Sequence, residues 1–79
     1  MSKKQIPEDQ IKRMEEISMF IKNWRIMEGM SQYEFSNLTD LHTNSIHNIE
    51  RGKNITINTL FACIDGMDMS LQEFFEGME

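Results

Sequence analysis

The nine residues from Ser45 to Lys53 (SIHNIERGK) combine hydrogen-bonding side chains with two closely spaced cations. Ser, His and Asn side chains both donate and accept hydrogen bonds, whereas Arg51 and Lys53 attract anions. Glycine is the residue type that most often closes a helix, so Gly52 predicts a polar helix that ends in a basic turn.

This basic turn lies in an acidic chain, because the 79 residues carry a net charge of −5 at pH 7. The whole excess comes from residues 54–79, which contain five acidic residues and no Lys or Arg. The first 53 residues are balanced in charge. An anion-binding face is therefore compatible with the composition if the C-terminal third points away from it.

The remaining reactive residue types do not form a catalytic or metal-binding pattern. His42 and His47 are five positions apart, so they do not share a helical face as a metal-binding pair would. Cys63 lies among apolar residues without a basic neighbour, which is typical of an inert buried thiol rather than a nucleophile. No glycine-rich phosphate loop and no paired catalytic carboxylates occur. We therefore predict that the protein is not an enzyme and has no cofactor or metal.

Length and composition predict one small globular domain in a reducing compartment. Cys63 is the only cysteine, so no internal disulfide can form, and small secreted domains usually contain disulfides. No apolar run approaches the roughly 18 residues that cross a bilayer, and no signal segment follows Lys3 and Lys4. We expect a cytoplasmic protein without membrane attachment, in which residues 1–6 are flexible and residues 7–79 form one domain.

Apolar spacing and capping residues predict five helices and no strand. The first helix is expected to begin at Pro7, to run for about 20 residues and to be closed by Gly29. Its apolar residues recur at spacings of three and four, which places them on one face. They are Ile11, Met14, Ile17, Ile21 and Trp24.

The second helix is marked by a capping box, in which Ser31 and Glu34 can each bond the other's backbone N–H. Phe35 and Leu38 are expected on its inner side. Asp40 follows the helix and belongs to a residue type that tolerates left-handed backbone, so it predicts the turn to the next helix.

Three further helices follow this turn. The third is predicted from Thr43 to Glu50 and is ended by Gly52. Thr56 can cap the fourth helix, and the run Ser70–Glu73 is a second capping box that opens the fifth. The apolar residues assigned to these helices are Ile46, Ile49, Leu60, Ile64, Met67, Leu71, Phe74 and Phe75. The expected fold is a compact all-α bundle.

With the helices in this order, the sequence resembles the phage repressor/Cro-type, or XRE-like, helix-turn-helix family over roughly Ile21 to Phe75. The residues that carry the resemblance are Arg25, Gly29, Gln32, the run Ile46–Lys53 and the run Ser70–Phe75. Four positions depart from the family's usual residues: Ser36 (usually Ala), Asp40 (usually Gly), His42 (often a Ser cap) and Ile55 (commonly Pro). The resemblance implies a lambda-repressor-like fold in which the second and third helices form the helix-turn-helix.

The resemblance also implies that the third helix enters the DNA major groove. Ile46 and Ile49 must face the core, so the outward side chains would contact bases: Thr43, Asn44, Ser45, His47 and Asn48. An Asn side chain can bond both N6 and N7 of adenine, and Asn44 is the strongest candidate for such a contact. The alternative is that these residues are ordinary solvated polar groups.

Phosphate contacts are implied at the two ends of this helix pair. The candidates are Ser31, Gln32, Arg51, Lys53, Asn54 and Thr56. The resemblance implies that Gln32 bridges a phosphate and the third helix. Such contacts fix position and add salt-dependent affinity without reading the sequence. The alternative for Arg51 and Lys53 is a favourable charge at the C-terminal end of a helix dipole. Arg25 and Glu50 match the family's largely buried ion pair between the first and third helices.

We therefore expect a sequence-specific transcriptional regulator of bacterial or phage origin that binds a pseudo-palindromic operator as a homodimer. The apolar residues of the fifth helix form the expected dimer interface: Leu71, Phe74, Phe75 and Met78. Alternatively, Leu71 and Phe74 belong to the core of the monomer. Two other functions stay open: an antitoxin or restriction-modification controller with a protein partner, and a protein-interaction module that has lost DNA binding.

Overall fold

A computed structural model describes residues 8–53 and 55–78 of the protein. These residues form five α-helices and no strand: α1 (Glu8–Met27), α2 (Gln32–Thr39), α3 (Thr43–Glu50), α4 (Ile57–Gly66) and α5 (Leu71–Gly77). The prediction of an all-α five-helix fold is confirmed. The segment 1–6 that was expected to be flexible, the helix start at Pro7 and the predicted contact residue Asn54 lie outside the described residues.

Side chains cap the helices where the sequence predicts them. The Ser31 hydroxyl accepts from the backbone N–H of Glu34 at 3.0 Å, and the Glu34 carboxylate accepts from the N–H of Ser31 at 2.8 Å. Ser70 and Glu73 repeat this arrangement at the start of α5. Each box satisfies backbone donors that would otherwise have no intrahelical partner, which fixes where α2 and α5 begin.

The turn between α2 and α3 is formed by a left-handed residue that is not glycine. Asp40 has φ of 60°, and the following Leu41 donates its N–H to the carbonyl of Ser36 at 3.0 Å. Aspartate adopts left-handed backbone at a smaller cost in free energy than most non-glycine residues. The sequence predicted a turn at Asp40 for this reason. The turn brings α2 and α3 into contact and leaves the N-terminus of α3 at the surface.

The core draws on α1 to α5. Its buried apolar residues are Ile21, Phe35, Ile46, Ile49, Leu60, Cys63, Ile64, Met67 and Phe74. Gly66 of α4 lies against Thr39 of α2, where an added Cβ would approach the Thr39 methyl to 2.7 Å. A larger residue at this position would force α2 and α4 apart.

Two apolar residues are not where the sequence placed them. Leu38 is 47% exposed, so only Phe35 forms the inner side of α2 as predicted. Ile11 is 42% exposed because the first half of α1 has little of the bundle beside it: residues 8–16 are all exposed apart from the half-buried Met14. Among the described residues, no helix combines the length and apolarity needed to cross a lipid bilayer.

Candidate nucleic-acid interface

One side of α3 is buried and the opposite side is open to solvent. Ile46 and Ile49 anchor the helix in the core. Thr43, Asn44 and His47 are exposed, whereas the remaining two predicted base-contact residues, Ser45 and Asn48, are half-buried. Of the five side chains predicted to contact bases, three are therefore exposed on one two-turn helix and two are partly exposed beside them.

The C-terminal end of α3 is held by an ion pair. Glu50 accepts from Nε of Arg25 at 2.6 Å and from Nη2 at 3.0 Å, so the contact is bidentate. The side chains of Arg25 and Glu50 are only 12% and 3% exposed. Hydrogen bonding to Glu50 raises the pKa of Arg25 above its ordinary value. Arg25 also donates to the carbonyl of Met30 at 2.7 Å, which ties the α1–α2 turn to the same group.

Gln32 joins this ion pair from the start of α2. Its side-chain Nε2 donates to Oε1 of Glu50 at 3.1 Å, which connects the N-terminus of α2 to the C-terminus of α3. The resemblance implied that Gln32 bridges a phosphate and the third helix, and this hydrogen bond is a contact with that helix. The identity of its partner, Glu50, was not predicted, because no spacing rule pairs residues 18 positions apart. The amide nitrogen carries a second N–H, so the bond to Glu50 leaves a donor for another partner.

The N-terminal end of α3 is held more lightly. His42 occupies the N-cap position and makes no side-chain capping bond. The hydroxyl of Thr43, the first residue of α3, lies 3.2 Å from the hydroxyl of Ser36 in α2. Ser36 is buried, and its hydroxyl is also 2.6 Å from the carbonyl oxygen of Tyr33. The sequence did not reveal this contact, since it depends on the distance between two helices.

The predicted phosphate-contact residues form two neighbouring groups. Ser31 and Gln32 begin α2, while the exposed Arg51 and Lys53 follow the end of α3. Because Gln32 bonds directly to Glu50, the two groups lie next to each other on one end of the helix pair. Thr56 is exposed further along, and its hydroxyl already caps α4 by accepting from the N–H of Thr59 at 3.2 Å.

The residues predicted for a dimer interface divide between the core and the surface. Phe74 is fully buried and packs edge to face on Phe20 of α1, with ring centroids 5.0 Å apart. Its assignment to an exposed interface is wrong, because α1 already covers the ring, and the alternative that placed Phe74 in the core of the monomer agrees with its burial. Leu71 is 49% exposed, so the alternative that placed it in the core is wrong too. Phe75 is 42% exposed and Met78 is half-buried.

Cys63 is buried in the core, as predicted. Burial raises the pKa of its thiol to about 12, and the negative charge of Glu50 contributes in the same direction. The thiol therefore stays protonated at neutral pH and is a poor nucleophile. Sequence reasoning missed Ile57 and Phe61, which lie one helical turn apart on α4 and are both exposed.

Comparison with known proteins agrees with this geometry. A helix-turn-helix family model matches residues 21–74, whereas no curated protein sequence matches the chain. The wild-type restriction-modification controller protein C.Esp1396I is 32% identical, with a TM-score of 0.74 over 82% of this chain and 87% of that one. Its complex with a 25-base-pair operator site gives a TM-score of 0.75 at 32% identity and the same coverage of both chains. The tetramer of the same protein in complex with its natural 35-base-pair operator gives a TM-score of 0.76 at 32% identity, over 82% of this chain and 87% of that one.

The family match covers well over half of the chain and contains the α2–α3 pair, the Arg25–Glu50 ion pair and most of α5. The structural similarity covers 82% of this chain at an identity that also supports common membership. The chain therefore belongs to the XRE-type helix-turn-helix family of DNA-binding transcription regulators.

Proposed function

We propose that the protein binds a pseudo-palindromic operator as a homodimer and reads its sequence with α3 in the major groove. The observation that supports this most strongly is the division of α3 into a buried apolar side and an exposed polar side. Ile46 and Ile49 face the core, so the side carrying Thr43, Asn44 and His47 is available to a partner.

In this proposal, base contacts and phosphate contacts come from different residues. Thr43, Asn44, Ser45, His47 and Asn48 contact base edges, with Asn44 as the main reader of adenine. The backbone of the DNA is contacted at the start of α2 and in the segment after α3, by Ser31, Gln32, Arg51, Lys53, Asn54 and Thr56. The hydrogen bond from Gln32 to Glu50 supports this arrangement, since it keeps the two groups of phosphate contacts together.

Few exposed Lys and Arg residues lie near α3, which is why we expect two copies of the protein to bind the operator together. α3 contains no Lys or Arg, and Arg25 is already paired with Glu50. Arg51 and Lys53 are the exposed cations that directly follow α3, so one subunit gains little electrostatic affinity. A dimer doubles these contacts and reads two half-sites about one helical turn, ~34 Å, apart.

The proposed dimer surface is the exposed part of α5. Leu71 and Phe75 lie four positions apart on one side of the helix, and both expose a large apolar side chain. Phe75 and Met78 also border a groove whose other wall is formed by Met19 and Phe20 of α1. An apolar surface of this kind is stabilised by contact with a second copy. The acidic residues of the C-terminal third would then lie on the dimer side, away from the DNA.

The dimer surface is tested by Phe75→Glu. Because Phe75 is partly exposed, the substitution should leave the helical circular dichroism spectrum unchanged while it converts the dimer to a monomer in analytical ultracentrifugation. Some loss of melting temperature accompanies the loss of the dimer. Met27→Glu is the matched control, since Met27 is a highly exposed apolar residue of α1. A wild-type protein that is monomeric at all concentrations, or a Phe75→Glu variant that stays dimeric, would contradict this interface.

Sequence-specific DNA binding is tested by selection from a random pool of DNA duplexes at low and at physiological salt. Enrichment of one pseudo-palindrome by the wild-type protein supports the proposed regulator. If no duplex is retained even at low salt, electrostatic attraction to phosphate is absent and the proposal fails. That result would favour a protein-interaction module, for which the lack of Lys and Arg in α3 is the supporting observation.

A second candidate function is control of a restriction-modification system or of a toxin, with the same DNA contacts and a protein partner. The 32% identity with the controller protein C.Esp1396I favours the restriction-modification form. A gene for a restriction enzyme and a methyltransferase beside this gene would support it, and their absence would favour a regulator of other genes. We expect a cytoplasmic location, with association to the nucleoid when operator is bound.

A further inference from the structure

Two hydroxyl groups connect the buried side of α2 to the DNA-facing start of α3. The Ser36 oxygen lies 2.6 Å from the carbonyl oxygen of Tyr33 and 3.2 Å from the hydroxyl oxygen of Thr43. Ser36 is buried, whereas Thr43 is exposed and opens α3.

The positions of these oxygens determine which hydroxyl donates. A carbonyl oxygen can only accept a hydrogen bond, so the short contact with Tyr33 requires the proton of Ser36. A serine hydroxyl has one proton, and none is then left for Thr43. The contact between Ser36 and Thr43 must therefore use the proton of Thr43.

We propose that Ser36 makes Thr43 a hydrogen-bond acceptor only, and thereby decides which base edge Thr43 can read. This inference rests on the proposed reading of DNA by α3. With its proton held by Ser36, the Thr43 oxygen can accept from an exocyclic amino group, N6 of adenine or N4 of cytosine. It cannot donate to N7 or O6 of guanine or to O4 of thymine. Ser36 touches no base and acts as a positioning residue.

The restriction differs from the ordinary behaviour of threonine. A free hydroxyl rotates and bonds donors and acceptors alike, so Thr usually contributes little base discrimination. When the Thr43 proton is held by Ser36, hydrogen bonds to acceptor groups on the bases are lost and only those from donor groups remain. A buried serine thus adds selectivity to a small neutral side chain, in a helix that has no Lys or Arg to read guanine.

The direction of the hydrogen bond can be measured without DNA. Neutron diffraction from deuterium-exchanged crystals of the wild-type protein shows the deuteron on each hydroxyl. We expect the Ser36 deuteron to point at the Tyr33 carbonyl and the Thr43 deuteron to point at the Ser36 oxygen. A Ser36 deuteron directed at Thr43 would overturn the inference.

The effect on DNA reading is measured with duplexes that lack one amino group. In the duplex selected by the wild-type protein, purine replaces each adenine or pyrimidin-2-one replaces each cytosine, one position at a time. At the base that Thr43 reads, this deletion should weaken wild-type binding about fivefold, the value of one hydrogen bond. The Thr43→Val variant, which keeps the shape but lacks the hydroxyl, should show no loss at that base. Thr43→Ser should behave like the wild type.

The Ser36→Ala variant tests the positioning role. It frees the proton of Thr43, which can then donate to the N7 that remains in purine. At an adenine, the penalty for deleting the amino group should fall to less than about twofold. At a cytosine, pyrimidin-2-one offers no such acceptor, so the comparison there is a T·A pair, whose O4 should be penalised less in Ser36→Ala than in the wild type. The melting temperature is the control for folding. An unchanged penalty in Ser36→Ala, or equal penalties in wild type and Thr43→Val at all positions, would overturn this inference while leaving sequence-specific binding intact. Failure of the wild-type protein to bind any duplex would overturn the proposed function and this inference with it.

Discussion

The two ends of α3 are held in different ways. At the C-terminal end, Glu50 receives two hydrogen bonds from Arg25 and one from Gln32, and these groups come from α1 and α2. At the N-terminal end, His42 provides no side-chain cap, and one contact between hydroxyls joins Thr43 to α2. The C-terminal end of α3 therefore carries buried charged groups, whereas the side chains at its N-terminal end are exposed.

This difference separates stability from recognition. A buried, bidentate ion pair costs much when one partner is lost, because the other charge remains without compensation. Exposed Asn and Thr side chains contribute little to folding, so they can be replaced without loss of structure. Substitutions at the C-terminal end should therefore change stability and binding together, whereas those at the N-terminal end should change base preference alone.

The largest effect is expected for Glu50→Ala. The substitution leaves Arg25 buried without its carboxylate and removes the acceptor of Gln32, so the free energy of unfolding should fall by about 3–5 kcal/mol. Denaturation by urea measures the change, and Glu28→Ala, at an exposed position in the turn that follows α1, is the control. A Glu50→Ala variant with the wild-type melting temperature would show that the ion pair does not hold α3.

Asn44→Ala should affect recognition without affecting stability. Loss of a bidentate contact with adenine relaxes the preference at one position in each half-site by about 1–3 kcal/mol. Selection from the duplex pool gives the preference, and circular dichroism melting checks the fold. If Asn44→Ala selects the same operator with the same preference at every position, the N-terminal end of α3 does not read DNA as proposed.

Gln32→Ala should cause a small loss of stability and a small loss of DNA affinity. Removing its hydrogen bond to Glu50 should lower the free energy of unfolding by about 1 kcal/mol, since the ion pair with Arg25 remains. Binding should weaken to a similar extent on all sequences, because the proposed phosphate contact at the start of α2 is lost. A change in base preference would place Gln32 among the reading residues and would blur the contrast between the two ends.

Lys53→Ala should give the smallest effect at physiological salt. It removes one proposed phosphate contact per subunit, so the slope of log K against log salt should become shallower by about one for each subunit. The selected operator sequence should not change. An identical response of Lys53→Ala and Asn44→Ala in both assays would show that reading and anchoring are not divided between these residues.

The sequence predicted the helices and most of the buried residues, because both follow from local rules. The capping box at Ser31, the left-handed Asp40 and the glycine after α3 give the α2–α3 pair its limits. Resemblance to a family paired Arg25 with Glu50, which spacing alone does not do. Resemblance also implied that Gln32 contacts the third helix, although not that Glu50 is its partner. The contact between Ser36 and Thr43 was not predictable, because neither spacing nor resemblance pairs these two side chains of different helices.

The sequence did not predict correctly for every apolar side chain whether it is buried in the core or exposed at the surface. Leu38 fits the apolar pattern of α2 but is exposed, whereas Phe74, for which both the dimer interface and the core were open, is buried. Periodicity shows that a helix has an apolar side, but not which neighbour covers it. The position of α1 against α5, where Phe20 meets Phe74, decides that question.

The most direct test of whether the N-terminal part of α3 reads the DNA is amide chemical-shift mapping by NMR. In this experiment ¹⁵N-labelled wild-type protein is titrated with the selected duplex. The account predicts the largest changes at the N-terminal half of α3, from Thr43 to His47, and smaller changes at residues 31–32 and 51–53. Residues of α5 should be unaffected by the DNA. Changes confined to α5, or an unperturbed α3, would contradict the account.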